Sequence, residues 1–416
     1  MAFMTMPSIS KVTFSGLVMP VPIFLRSVIL ALRRKCSNLS RSGHSASFLT
    51  ASWATTETVK PSETAMAQRQ RIRSKLIHPL APFFNIEYRM RPIFLTVLLT
   101  TGTAAGVSSQ TLEARLAAML DALPAKSSLY AKHLPTGRVV SVRGDELMNP
   151  LSVIKIPILA LAFRDSEAGK LDLAERYTIK PEDRRRGSGL IQTFAPGLNP
   201  TYRDILTQMI VTSDNTATDI MIDRLGLERV NELLSERGYR STRLMTTTGG
   251  LFRRLWEMQD PSLKSLSHAE VFERGFPNDP GASDRTFAFE GNPKEWLGQT
   301  TAKEMSKLLE EIYNAELTSH ASSDAMIGIL RRQFYRSRLP RFVRFDGVGV
   351  AHKTGDWPPV AGNDVGILFH EGGPTVVSVF INQNRGDFTK LEETIGQIAK
   401  ELVAEWSPSR ESARDQ

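Results

Sequence analysis

Ser152-Val153-Ile154-Lys155 sets a hydroxyl and an amine three positions apart in an almost wholly apolar stretch. At that spacing two side chains share one face of a helix and can hydrogen-bond. A serine hydroxyl is a weak nucleophile until a base takes its proton. An amine among Leu151, Ile154, Ile156, Ile158 and Leu159 would have its pKa lowered by burial and by a second lysine nearby. Ser152 is therefore the candidate nucleophile and Lys155 its base. Ser213-Asp214-Asn215 adds a hydroxyl that could relay a proton to a leaving nitrogen (Ser213), an amide for a substrate amide (Asn215) and a carboxylate suited to bracing the loop (Asp214). Lys353-Thr354-Gly355 ends a strand-like run. Lys353 and Thr354 would bind a substrate carboxylate, and Gly355 would let substrate backbone approach closely. The backbone N–H groups of Ser152 and Asp356 would form an oxyanion hole. Together the groups suit acyl transfer through a serine ester. Singly, each peptide also fits a plain structural role: a helix cap, a loop cap, a strand end.

The elements that must carry these peptides are legible in outline. Leu112, Leu116, Met119, Leu120 and Leu123 give Ser109–Leu123 the spacing of an amphipathic helix. Ser128–His133 and Arg138–Arg143 read as a hairpin turning at Pro135-Thr136-Gly137. Ser152–Phe163 reads as an apolar helix opened by its serine. Residues 203–223 are helical, with the second motif near a loop before Thr216–Leu225, and Gly226 closes that helix. Helices follow over Glu228–Arg237 and Thr300–Tyr313. Strands return at Val348–Lys353, Asp364–His370 and Thr375–Asn382, and a last helix runs from Phe388 to Trp406. Strands at both ends with helices between them predict an α+β protein: one antiparallel sheet from both chain ends and an inserted all-helical block.

Composition narrows the function classes. The net charge of +8 and pI near 9.6 suggest nucleic acid, but the excess is local. Residues 1–89 hold 12 Lys and Arg against 3 Asp and Glu, so the remainder is nearly neutral and lacks the basic face of a nucleic-acid binder. Cys36 is the single cysteine, which rules out a disulfide framework or cysteine metal site after it. The seven histidines are scattered without a His-x-His or His-Glu-x-x-His pair, so neither a metal nor a cofactor is expected.

Met90-Arg91-Pro92, the apolar run Ile93–Leu99 and the small residues up to Gly106 have the pattern of a secretory signal cut after Ala105. Such a signal stands at a true N-terminus, so translation is expected to start at Met90, with an internal signal anchor or buried helix as the alternative. Residues 1–89 are then disordered or an upstream over-extension. Residues 36–75 are rich in Ser, Thr and Arg without periodicity, and Leu17–Leu32 is broken by Pro20, Pro22 and Arg26. The expected organisation is 1–89 extension, 90–105 signal peptide and 106–416 catalytic domain, a periplasmic or secreted monomer with no membrane span after processing.

In this order the three peptides resemble the motif set of the class A β-lactamases and the penicillin-binding proteins related to them. Leu134-Pro135-Thr136-Gly137-Arg138, Ser213 through Asp219 and Gly298 through Met305 extend the likeness over roughly residues 109–408. The resemblance implies a β-lactamase/transpeptidase-like fold. It also implies a serine β-lactamase that hydrolyses β-lactams through a Ser152 acyl-enzyme. The alternatives are a D,D-peptidase or esterase of the penicillin-binding type with slow deacylation, acting on cell-wall peptide, and a non-catalytic cell-wall-binding protein. Two departures stand out. The family's Glu-x-x-Leu-Asn, which carries the deacylating glutamate, does not occur. Glu257 is the first substitute, with Glu290 and Glu295 as rivals in a lengthened stretch at residues 246–297. The family's arginine after Lys-Thr-Gly is replaced by Asp356, which would repel an anion, leaving Arg338, Arg341 or Arg344 to take the arginine's place.

Overall fold

The computed structural model describes residues 110–275 and 282–407. The expectations for residues 1–89 and for the signal at 90–105 lie outside these residues. Helix α1 (Leu112–Asp121) is capped by Thr111, whose hydroxyl accepts from Ala114 N. The hairpin follows as β1 (Lys126–His133) and β2 (Val139–Val142). A short 3₁₀ turn (Leu151–Ile154) leads into α2 (Lys155–Glu167). The helical block continues with α3 (Tyr202–Val211), α4 (Asn215–Leu225) and α5 (Leu227–Glu236). Strand β3 (Arg243–Leu244) opens the lengthened stretch, which holds α6 (Thr248–Glu257), α7 (His268–Arg274) and α8 (Ala282–Glu290). Strand β4 (Gly298–Gln299) pairs with β3 and closes it. Then come α9 (Ala302–Tyr313), α10 (His320–Leu330), β5 (Gly349–Trp357), β6 (Ala361–His370), β7 (Gly373–Asn382) and α11 (Phe388–Trp406).

The main sheet is antiparallel in the order β2-β1-β7-β6-β5. Leu129 pairs with Val379, which joins the two chain ends at the sheet centre. Alternation along β7 divides the core into two layers. Val377, Val379 and Ile381 pack with Leu116 and Leu120 of α1 and Ile395, Ile398 and Leu402 of α11. Val376 and Phe380 face the helical block, where they meet α2 and its neighbours. Helix α2 is buried all round from Lys155 to Phe163, as befits a helix that is apolar on every face. No described helix is long and apolar enough to cross a membrane.

The α+β architecture agrees with the sequence reading, with three local differences. Ser152 lies in the 3₁₀ turn rather than at the start of an α-helix, because Leu151 before it is left-handed at φ 50°. Strand β5 continues to Trp357, so Lys353-Thr354-Gly355 sits inside an edge strand and not at its end. The described part of 246–297 holds the helices α6, α7 and α8, and α10 escapes the sequence pattern. Thr248-Gly249-Gly250 is a poor opening for a helix, but Thr247 caps it and Asp219 of α4 accepts from its first N–H groups.

Candidate active site

Ser152 is half-buried in the 3₁₀ turn. Residues three apart eclipse in such a turn, so Ser152 and Lys155 emerge on one face. Lys155 is 0% exposed. Its Nζ donates to the Ser213 carbonyl at 2.7 Å and to Asn215 Oδ1 at 3.0 Å, and lies 3.3 Å from Ser213 Oγ. Lys353, also 0% exposed, donates from the other side to Ser213 Oγ at 3.0 Å and to the Thr354 carbonyl at 2.7 Å. Two buried amines thus converge on one hydroxyl. Ser213 holds the left-handed conformation that presents it there, at φ 56°.

Burial, reinforced by the Lys353 charge, pushes Lys155 well below the ordinary lysine range. Burial also pushes Lys353 down, to about 8, although Asp356 and Asp364 oppose the shift. The shift favours loss of the Lys155 proton. A neutral amine has two N–H donors and one lone pair. The Ser213 carbonyl and Asn215 Oδ1 would take both donors of that form, and the Ser213 hydroxyl at 3.3 Å is a third oxygen neighbour of Nζ.

The loop around Ser213 is held by its neighbours. Asp214 caps α4, accepting from Ala217 N at 2.9 Å, and also accepts from Ile191 N at 2.8 Å. Burial raises its pKa. Asn215 is engaged at both ends of its amide, since Nδ2 donates to the Arg186 carbonyl at 3.0 Å while Oδ1 accepts from Lys155. The amide expected to hold substrate therefore also orients the lysine. Gly189, at φ 109°, lies so close to Asp214 that a Cβ would fall 2.2 Å from Oδ2.

Asn149, three residues before the nucleophile, was not singled out by the sequence. Its side chain accepts from Leu151 N at 3.1 Å, its N–H donates to Asn382 Oδ1 at 2.9 Å, and its carbonyl accepts from Asn363 Nδ2 at 2.9 Å. These buried amides lock the left-handed turn to β6 and β7. No sequence pattern marks them, because they lie far apart in the chain. Gly355 completes the junction. A Cβ there would sit 2.4 Å from the Pro150 carbonyl, so this glycine is required by the nucleophile turn itself. Thr354 Oγ1 is buried without a well-formed hydrogen bond, although it lies close enough to Asp356 to help keep that carboxylate charged.

A model of the beta-lactamase enzyme family matches residues 111–406. The chain belongs to the beta-lactamase enzyme family. A β-lactamase of Streptomyces albus G is 26% identical over 298 residues, covering 70% of this chain and 83% of that protein. Among solved structures, a β-lactamase of Sphaerobacter thermophilus has a TM-score of 0.57 at 24% identity, covering 70% of this chain and 96% of its own. PBP-A has a TM-score of 0.55 at 24% identity, covering 71% and 95%. These structures share the fold, and the chain is a serine β-lactamase-like protein.

Within this family frame the remaining candidates are all engaged by other groups. Glu257 pairs with Arg253 at 2.9 Å at the end of α6. Glu295 is held by Arg254. Glu290 is fully buried, accepting from Gln383 N at 3.0 Å and Asn149 Nδ2 at 3.4 Å, and burial raises its pKa. Arg338 is buried against Asp356 and lies 3.3 Å from Glu392. Burial pushes the Asp356 carboxyl up, but Arg338 and Lys353 outweigh it and hold the pKa low. Arg341 pairs with Glu393, and Arg344 stacks on Phe345. His352 is bonded to Asp364 at 2.9 Å. Among the described residues no group of His, Cys, Asp and Glu is placed to hold a metal ion.

Proposed function

We propose that the protein is a serine hydrolase of β-lactams that reacts through an acyl-enzyme on Ser152. The observation that carries this reading is the meeting of Lys155 and Lys353 on Ser213 Oγ, with Lys155 on the face of Ser152. Neutral Lys155 takes the Ser152 proton, and Oγ attacks the lactam carbonyl. The N–H groups of Ser152 and Asp356 receive the oxyanion. Ser213 delivers its proton to the departing lactam nitrogen and regains one from Lys155, 3.3 Å away, which restores the neutral amine while Lys353 keeps its charge, and Asn215 lies alongside to meet a substrate amide. Lys353 and Thr354 bind the substrate carboxylate. The names of the relatives agree: the Streptomyces protein is a β-lactamase, and a PBP-A variant is described as an acyl-enzyme with penicillin G. The reading includes an exported monomeric catalytic domain, residues 106–416, behind a signal at 90–105. Ser152→Ala should abolish both nitrocefin turnover and the mass increment that penicillin G leaves on the protein. Turnover unchanged in that variant would reject the reading.

A second reading, a D,D-peptidase or esterase of the penicillin-binding type, uses the same acylation chemistry and releases its product slowly. It is favoured by the engagement of Glu257, Glu290 and Glu295 in other bonds. Deacylation by Glu257, the first substitute from the sequence, would require its Arg253 pair to open. The decay time of the Ser152 adduct separates the two readings.

A further inference from the structure

Phe252 lies one turn after Thr248 on α6, and that turn is firmly pinned. The Asp219 carboxylate accepts from Thr248 N at 2.7 Å, Thr248 Oγ1 at 2.7 Å, Gly249 N at 2.8 Å and Arg185 Nε at 2.6 Å. The tip of the Phe252 ring and the Nδ2 end of Asn215 border the same space beside Gly187. A Cβ on Gly187 would lie 2.7 Å from Asn215 Nδ2 and 2.9 Å from Phe252 Cζ, so amide and ring edge are neighbours. On its other side the ring faces Trp357 of β5 at 6.3 Å between centroids, and Phe289 flanks Trp357 at 5.8 Å. Phe252, Trp357, Ser152 and Asp356 are all half-buried, whereas Lys155, Ser213, Lys353 and Thr354 are fully buried. The half-buried set lines the open face of the site. An apolar ring therefore joins its two walls beside the amide that orients Lys155.

We propose that Phe252 keeps water from the Ser152 ester and so sets the lifetime of the acyl-enzyme. This rests on the acylation reading above in its second, slow-releasing form. Hydrolysis requires a water oxygen to bond to the ester carbonyl while Lys155 takes its proton. The bond from that carbonyl to Ser152 Oγ then breaks, and the proton passes to Oγ. The space beside Asn215 Nδ2, the end of the amide away from Lys155, is bordered by a phenyl ring, which neither orients water nor accepts a proton. Exclusion of water from such a place protects a reactive intermediate.

The test is a mass-spectrometric time course of the protein with penicillin G, taken through adduct formation and, after removal of free drug, decay. Wild-type adduct should persist for minutes. Phe252→Ala should lose its adduct about tenfold faster or more, a barrier change of roughly 1.4 kcal/mol, whatever its acylation rate. Phe252→Leu, which keeps apolar bulk, should decay like wild type. A purely structural role would slow acylation and leave decay unchanged. Equal decay in Phe252→Ala and wild type overturns the proposal. So does a wild-type adduct that vanishes within seconds, a result independent of whether any variant folds. Absence of any adduct on wild type overturns the acylation reading itself.

Discussion

Lys155 and Lys353 share one hydroxyl, and burial shields both from solvent. Desolvation disfavours each charge and their proximity disfavours having both. In the proposed mechanism this divides the labour, with Lys155 the base and Lys353 the cation. Acylation should rise as pH climbs through the depressed Lys155 pKa, because the neutral amine is the active form. It should fall again as pH passes about 8, where Lys353 loses its proton. Lys155→Arg keeps the charge but cannot act as a base, and should slow adduct formation by about 10²-fold or more. Stopped-flow acylation across pH, with both proteins, checks the profile. Residue type and spacing singled out these side chains, and the fold brings Lys155, Ser213 and Lys353 together. The engagement of Asn215 with both Lys155 and Arg186 was not legible, because the Arg186 carbonyl comes from a separate loop.

At the scale of elements, the candidate nucleophile depends on a four-residue turn fastened to two strands. Leu151 at φ 50° is strained for a residue with a side chain, and the Asn149 bonds hold it in place. Asn149→Ala leaves Leu151 N and part of Glu290 without partners in a buried setting. It should cost about 1–3 kcal/mol of stability and slow acylation more than it weakens drug binding. Chemical denaturation together with saturation kinetics would separate these effects. Periodicity showed the helices and strands on either side, since α11 and β7 carry clear apolar patterns. It failed for α6–α8, whose glycines, prolines and aromatics mask helices that depend on caps and on Asp219. It also placed Lys353-Thr354-Gly355 at a strand end, because the polar Asp356 conceals the continuation to Trp357.

Across the whole molecule, the sheet joins both ends of the described fold, and His370 marks part of that seam. Its ring lies 3.0 Å from both Ser407 Oγ and Thr375 Oγ1, and 5.7 Å from the His133 ring, which stacks on Trp406. Burial and the nearby His133 push His370 down to about 4. The unfolded chain, titrating near 6.5, then binds a proton that the fold does not. Stability should therefore fall as pH drops from about 6.5 toward 4. His370→Gln should flatten that part of the melting-temperature profile, and an unchanged slope would show that other groups govern it.

The chain order of Ser152, Lys155, Ser213, Lys353 and Thr354 sufficed to indicate the acylation chemistry, and alternating apolar residues sufficed to indicate the α+β class. Both signals are local, readable within a turn or a strand. The junction of Asn149, Asn363 and Asn382, the service of Gly355 to the Pro150 carbonyl, and the approach of Phe252 to Asn215 arise only when distant segments pack. Those contacts bear on how the nucleophile is held and how readily water reaches it, because both depend on which atoms fill the remaining space.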